Sequence, residues 1–114
     1  MNVGFVVTDE KVDGKVVLRL EGRLDAHSAP TLESQLSASV EGGEKDLIAD
    51  FTKVTYLSSA GMRLLLATTK KLKAAGGAFV LFSMHEDVME IIKMAGFERI
   101  LNIFNSEQEA LAAL

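Results

Sequence analysis

The chain has 114 residues and a formal net charge of −4 from 12 basic and 16 acidic residues, so its length fits one globular domain. This balance lacks the basic excess of a nucleic-acid-binding domain, and the absence of cysteine excludes disulfides and thiolate metal sites. No apolar run approaches the roughly 20 residues that span a bilayer, and the N-terminus lacks a basic signal-peptide region, so we expect a soluble cytoplasmic protein without direct membrane insertion.

A β-hairpin and a helix are predicted for the first part of the chain. Apolar runs over Phe5–Thr8 and Val16–Glu21 predict two strands, and the turn dipeptide Asp13-Gly14 between them favours a hairpin. A helix is expected to begin at Ser28–Pro30, since proline is tolerated in a first turn, and to end at Gly42-Gly43. The inward face of this helix would consist of Leu32, Leu36 and Val40.

Strands and helices are then predicted to alternate. The near-continuous apolar run Asp46–Phe51 is typical of a parallel strand buried on both faces. A helical pattern from Met62 to Ala75 follows a short loop and ends at Gly76-Gly77, and Ala78–Phe82 predicts another buried strand.

A third helix, a short strand and a last helix complete the prediction. Ser83 is expected to cap the third helix, and Ile100–Phe104 predicts the strand. Ser106 and Glu109 have the spacing of a capping box that opens the last helix. The inward residues of the third helix would be Val88, Ile91, Ile92 and Ala95, before a C-terminal cap at Gly96.

This order of elements predicts an α/β fold. A single mixed sheet of about four to five strands, an N-terminal hairpin followed by parallel βα units, would be packed with about four helices. Residues 1–114 would form a single domain, since no linker or internal repeat interrupts the pattern.

Ser58 and Ser59 lie where the third predicted strand meets the second helix, and three interpretations are open. A serine here can cap the helix by accepting a backbone hydrogen bond, for about 1 kcal/mol. A phosphorylated serine is also compatible, because the helix N-terminus favours negative charge. The third interpretation is a hydrolase nucleophile, but Leu57 replaces the first glycine of Gly-x-Ser-x-Gly, and only His27 and His85 could serve as the base.

Two segments resemble the motifs of the STAS domain, the fold of bacterial anti-sigma factor antagonists. Asp50-Phe-Thr-Lys-Val-Thr-Tyr-Leu-Ser-Ser-Ala-Gly-Met62 is similar to the family's strand, loop and serine–small–glycine helix start. Gly22-Arg-Leu-Asp25 resembles a second landmark of the family. The resemblance extends over essentially the whole chain and implies the STAS fold.

The resemblance implies a non-enzymatic, cytoplasmic switch protein without a cofactor of its own. In its unphosphorylated form such a protein binds an anti-sigma factor that is also a serine kinase, which frees the sigma factor. Phosphorylation of the antagonist by this kinase releases it, and a PP2C-type phosphatase resets the switch. ATP and Mg²⁺ belong to the kinase.

Matched to the family motif, the phosphoacceptor is Ser59. Ser58 stands where the family often has aspartate, which leaves Ser58 as an alternative acceptor. The implied partner-binding residues are Asp25, Thr52, Ser58, Ser59, Ala60, Gly61 and Arg63.

Other roles for these residues and for the chain are compatible with the sequence. Asp25 is also typical of a turn residue, and Thr52 could form hydrogen bonds to the loop backbone. Arg63 follows Ser59 by one helical turn and could either pair with a phosphate on Ser59 or be a solvated surface side chain. The chain could instead be a STAS subunit of a transporter or lipid-transport assembly, or a module that senses a small ligand or nucleotide.

Overall fold

The computed structural model describes residues 4–114 and contains one mixed sheet with the strand order β1-β2-β3-β4-β5. β1 and β2 are antiparallel, and the other neighbouring strands are parallel. The elements in chain order are β1 Phe5–Val12, β2 Lys15–Leu24, α1 Ala29–Glu41, β3 Asp46–Leu57, α2 Ser59–Ala74, β4 Ala78–Phe82, α3 Glu86–Met94, β5 Asn102–Phe104 and α4 Glu107–Ala112. The predicted fold class, a mixed sheet with an N-terminal hairpin and parallel βα units, is confirmed; residues 1–3 of the predicted domain lie outside the described residues.

The turn of the hairpin is formed by the predicted dipeptide. Asp13 and Gly14 have φ angles of 52° and 79°, the left-handed conformation that both central residues of a type I′ turn require. This turn matches the twist of two antiparallel strands, and β1 pairs with β2 from Phe5 opposite Gly22 to Val12 opposite Lys15.

Helices cover both faces of the sheet, which explains the continuous apolar runs of the central strands. On one face α1, α2 and α3 bury the larger cluster, which includes Leu18, Leu36, Phe51, Leu65, Phe79 and Ile92. On the other face α4 packs over the smaller cluster, which consists of Val17, Ile48, Val80, Phe82 and Ala110. Alternate residues of one strand therefore belong to different clusters.

Arg19 connects α4 to the sheet, a role that the sequence pattern did not indicate. Its guanidinium donates to Glu107 Oε1 at 2.6 Å, to Glu10 Oε1 at 2.7 Å and to Asp50 Oδ2 at 3.1 Å. The three carboxylates come from α4, β1 and β3, and they meet only because these elements are neighbours in space.

The predicted end of β3 is wrong. The strand continues beyond Phe51 to Leu57, so the residues expected in a loop, including Thr52 and Thr55, belong to the strand. The reason is that β2 also extends, to Leu24, and its last residues pair with the second half of β3 through two irregularities in register. Main-chain pairing with β2 therefore prevails over the polar side chains of this segment.

The start of α3 also differs from the prediction. His85 occupies the N-cap position, without a side-chain cap hydrogen bond, while Ser83 has a φ of 58° and its hydroxyl donates to the Asn105 carbonyl at 3.2 Å. Ala95 is exposed rather than inward. In contrast, the predicted cap of α4 is confirmed, since Ser106 Oγ accepts the Glu109 N–H at 3.2 Å.

Candidate functional site

The two serines at the β3–α2 junction have different roles. Ser58 is the N-cap of α2, and its Oγ accepts the Gly61 N–H at 3.2 Å. Ser59 is the first residue of the helix and is exposed, and its hydroxyl makes no hydrogen bond within residues 4–114. The capping interpretation therefore applies to Ser58, and the Ser59 hydroxyl is accessible to a reagent or a partner.

This difference predicts unequal effects on stability. Ser58→Ala should lower the free energy of unfolding by about 1 kcal/mol, because a helix N–H loses its acceptor. Ser59→Ala should change it by less than about 0.5 kcal/mol, as is usual for an exposed residue. Urea unfolding followed by circular dichroism measures both values; equal losses for the two variants would contradict this assignment of the cap.

Gly61 allows the start of α2 to lie against the end of β2. A Cβ at this position would lie 2.8 Å from the Leu24 carbonyl oxygen, 2.8 Å from Leu57 Cδ1 and 2.9 Å from Leu24 Cγ. Contacts this short are too close for a side chain, so glycine is required by packing. The Ser58 N–H also donates to the Leu24 carbonyl at 2.9 Å, and the serine junction is thereby attached to the strand that precedes Asp25.

Asp25 organises the corner between β2 and α1. Its Oδ1 accepts the backbone N–H groups of His27 and Ser28, each at 3.0 Å. The Ser28 hydroxyl is buried; it donates to the Arg23 carbonyl at 2.6 Å and accepts the Asp25 N–H at 2.9 Å. The turn interpretation of Asp25 is confirmed, and the turn holds the start of α1 beside the serine junction.

The pKa of Asp25 lies below its ordinary value, mainly because its carboxylate accepts a hydrogen bond from the Ser28 backbone N–H. A lowered folded-state pKa stabilises the fold above the unfolded-state value of about 4, and this contribution disappears as the pH falls through the folded-state pKa. We therefore expect the stability difference between the wild type and Asp25→Asn to be largest near neutral pH and to shrink below about pH 4.

Denaturant unfolding at a series of pH values tests this prediction. Asp9→Asn is a matched control, because Asp9 is exposed and its carboxylate makes no hydrogen bond or ion pair within the described residues. A difference between wild type and Asp25→Asn that is constant with pH would show that the charge of Asp25 contributes nothing.

Arg23 and Tyr56 form an exposed pair beside this corner. The two residues are opposite each other in the β2–β3 register, and the guanidinium carbon lies 4.2 Å from the centre of the Tyr56 ring. Arg23 Nε also lies 3.9 Å from Asp25 Oδ2. Sequence reasoning missed the pair, because only the extended β2–β3 register brings these side chains together.

A groove between α1 and α2 begins next to the serines. It has a volume of about 320 Å³ and is lined by Ala26, Ala29, Pro30, Glu33, Ala60, Arg63, Leu64 and Ala67. Most of these side chains are small and apolar, while Arg63 and Glu33 supply opposite charges. Arg63 is exposed and forms no ion pair within residues 4–114, so its guanidinium is available to an external acceptor.

Thr52 does not lie with the other predicted site residues. Its hydroxyl donates to Asp50 Oδ1 at 2.5 Å, and its carbonyl lies 2.7 Å from His85 Nε2. It lines a separate depression of about 390 Å³ that also contains Arg19 and Lys53. Its side chain therefore bonds locally, whereas Ala60 and Arg63 line the groove beside Ser59.

The hydrolase interpretation has no geometric support. In the described part of the chain neither His27 nor His85 is hydrogen-bonded to Ser58 or Ser59, and His85 contacts the Thr52 carbonyl instead. A nucleophilic serine needs a base within hydrogen-bond reach.

Across residues 4–114, no helix is both long enough and apolar enough to cross a membrane.

Several known proteins are similar to nearly the whole chain. A candidate anti-sigma factor antagonist of Bordetella bronchiseptica, BtrV, is 35% identical over 107 residues, which are 94% of this chain and 92% of BtrV. The crystal structure of an anti-sigma factor antagonist from Mycobacterium paratuberculosis is 27% identical, with a TM-score of 0.87 over 96% of this chain and 93% of that one.

The same fold occurs in the Bacillus antagonist SpoIIAA, at 24% identity and with 95% of this chain covered in each case. The TM-score is 0.78 for its unphosphorylated form, over 95% of that chain, and 0.71 for its phosphorylated form, over 98%. Residues 7–110 match the family model of the STAS domain. Because this match extends over most of the chain and BtrV is 35% identical, the chain belongs to the STAS domain family.

Proposed function

We propose that this protein is an anti-sigma factor antagonist whose binding is switched by phosphorylation of Ser59. The unphosphorylated form binds an anti-sigma factor with serine kinase activity and so frees the sigma factor. The kinase then transfers the γ-phosphoryl group of its ATP to Ser59 Oγ, with release of ADP and of the hydroxyl proton, and the modified antagonist dissociates. A PP2C-type phosphatase hydrolyses the phosphoserine and restores the binding form. The protein itself contributes no catalytic group.

The observation that carries this proposal is the accessibility of the Ser59 hydroxyl. Ser59 is exposed and its hydroxyl makes no hydrogen bond within residues 4–114, whereas the Ser58 hydroxyl is engaged as the cap of α2. Phosphorylation of Ser58 would have to break the hydrogen bond to the Gly61 N–H first. This contrast supports Ser59 as the acceptor and makes Ser58 the less favourable alternative.

The position also suits the phosphorylated product. A phosphate on Ser59 would stand at the N-terminus of a 16-residue helix whose first turn contains no acidic residue. The helix dipole and the free N–H groups stabilise negative charge there, so the fold should tolerate about two added charges. The principal change would therefore occur at the surface that a partner contacts.

The proposed binding surface combines the serine junction with the adjoining groove. Ala60 and Arg63 line the groove beside Ser59. The exposed Arg23–Tyr56 pair lies near the ends of β2 and β3, where β3 leads into the serine junction. Asp25 and Gly61 contribute by holding the backbone in place, since Gly61 is buried and Asp25 accepts two backbone N–H groups. Thr52 is the member of the predicted set with the weakest support.

Arg63 is proposed to pair with the phosphate. It follows Ser59 by one helical turn, its side chain is exposed, and its guanidinium forms no ion pair with a carboxylate of the described residues. Arg63→Ala with no change in the stability of the phosphorylated form would exclude this role and leave Arg63 as a groove residue.

Similar proteins support the general role. Relatives named as anti-sigma factor antagonists match along most of this chain, and one of them, SpoIIAA, has been solved in both unphosphorylated and phosphorylated forms. An antagonist acts on an anti-sigma factor by binding it, so the role proposed here is one of binding.

Phosphosite-resolved mass spectrometry on protein isolated from its native cells tests the proposal, with Ser59→Ala as the control. Phosphate on Ser59 in part of the population would support the switch. Phosphate on Ser58 alone would retain the mechanism but overturn the site. No phosphate on either serine, under several growth and stress conditions, would overturn phosphorylation control.

A further inference from the structure

A basic cleft lies at the end of the sheet opposite the serine junction. It has a volume of about 560 Å³, and its principal lining residues are Lys70, Lys73, Phe79, Arg99, Ile100 and Asn102. Lys73 follows Ser59 by 14 residues of α2, which places the basic cleft roughly 20 Å along the helix from the proposed phosphorylation site. The basic cleft is therefore separate from the proposed phosphorylation site.

The three cations of the basic cleft lack internal partners. Lys70, Lys73 and Arg99 are exposed, and the charged group of none of them forms an ion pair or hydrogen bond within residues 4–114. Other basic residues of the described chain, including Arg63, Lys71 and Lys93, also form no ion pair, so the basic cleft is distinguished by the convergence of three such cations. Three unneutralised cations in one cleft are notable in a protein whose net charge is −4.

Helix stabilisation accounts for only part of this cluster. Lys73 lies in the last turn of α2, where a cation favours the helix dipole, and Lys70 is its neighbour at i−3 on the same face. Arg99 belongs to the segment between α3 and β5, so it does not stabilise α2 through its sequence position. The fold brings the arginine to the lysines from another part of the chain.

Ile100 supplies the exposed apolar surface of the basic cleft. Its side chain is 46% exposed, whereas Phe79 is only 1% exposed and the rest of the lining is small or polar. Asn102 Nδ2 donates to the Phe79 carbonyl at 3.1 Å, so this backbone acceptor is already engaged. An occupant of the cleft is therefore expected to contact side chains rather than to pair with the backbone as an added strand.

From this combination we infer that the basic cleft binds an acidic segment of a partner protein, with an apolar side chain against Ile100 and carboxylates beside Lys70, Lys73 and Arg99. An inorganic phosphate would neutralise the cations but leave the Ile100 side chain in water. A nucleic acid would be repelled by the net negative charge of the chain. The inference is independent of phosphorylation at Ser59.

The test is an NMR titration of the full ¹⁵N-labelled chain with a 12-residue acetylated and amidated peptide, (Glu-Glu-Leu) repeated four times. We expect amide shift changes around Lys70, Lys73 and Arg99, smaller changes at the serine junction, and weaker binding at higher salt concentration. A peptide with glutamine in place of glutamate should bind at least about tenfold more weakly.

Two double variants with equal changes in charge provide the decisive comparison. Lys73→Glu with Arg99→Glu should weaken peptide binding at least about tenfold. The control, Lys71→Glu with Lys93→Glu, changes one lysine near the end of α2 and one exposed lysine of α3, neither of which lines the basic cleft. This control should change the affinity for the peptide by less than about twofold. Circular dichroism verifies that both variants are folded.

Several results would overturn the inference. Equal losses for the two double variants would indicate non-specific charge attraction. The same shift changes with inorganic phosphate alone would identify a small-anion site, and concentration-dependent changes without peptide would identify contact between two copies of the chain. Absence of shift changes in the cleft would exclude binding of such a segment there.

Discussion

Ser59→Asp is expected to weaken binding of the anti-sigma factor by at least about 30-fold, or about 2 kcal/mol. The physical reason is that an aspartate at this exposed first position of α2 adds a charge to a surface that the partner must desolvate. The phosphate carries more charge and more volume than the aspartate, so phosphorylation itself should have a larger effect. Calorimetric titration of the anti-sigma factor into the wild type and the variant measures the difference.

Ser59→Ala is the matched control for this prediction. It removes the acceptor hydroxyl without adding charge, so binding should remain within about threefold of the wild type while phosphorylation is abolished. Binding by Ser59→Asp that equals binding by Ser59→Ala would show that charge at this position does not control the complex.

Gly61→Ala is expected to lower the free energy of unfolding by about 3 kcal/mol. The added Cβ would lie 2.8 Å from the Leu24 carbonyl oxygen and 2.8 Å from Leu57 Cδ1, so α2 or the end of β2 must move. The same movement would displace Ser58 and Ser59, which precede Gly61 in the junction. We therefore expect weaker binding of the partner as well as lower stability, measured by urea unfolding and by titration.

Gly42→Ala distinguishes this packing effect from the general effect of replacing a glycine. Gly42 follows α1 with a φ of −77°, and a Cβ there would be 3.3 Å from the nearest atom, the Ala38 carbonyl oxygen. This substitution should change stability by less than about 1 kcal/mol in either direction. If both variants lose the same stability, close packing at Gly61 is not the cause.

Local sequence chemistry predicted the elements whose ends depend on their own residues. Asp13-Gly14 adopts the left-handed turn because aspartate and glycine tolerate positive φ, and Ser106 caps α4 because its hydroxyl reaches the Glu109 N–H. The alternation of apolar strands and amphipathic helices was sufficient to predict the mixed α/β sheet. Resemblance to the STAS motifs supplied the site that these patterns left undecided.

Elements whose ends depend on a neighbouring strand were predicted less well. β3 continues to Leu57 because β2 is available to pair with it, and the polar residues Thr52 and Thr55 gave no sign of that pairing. Ser83 was predicted as a cap, but its hydroxyl finds the Asn105 carbonyl, which belongs to the segment after β5. In both cases the partner group comes from a distant part of the chain.

The sequence alone determined the fold class, the position of the serine junction and the candidates Ser58 and Ser59, because these follow from local periodicity and a contiguous motif. Only the tertiary structure distinguished the two serines, showed why Gly61 cannot carry a side chain, and separated Thr52 from the groove. It also assembled the Arg23–Tyr56 pair and the basic cleft. These features depend on contacts between residues far apart in sequence, which exist only when the strands and helices have packed together.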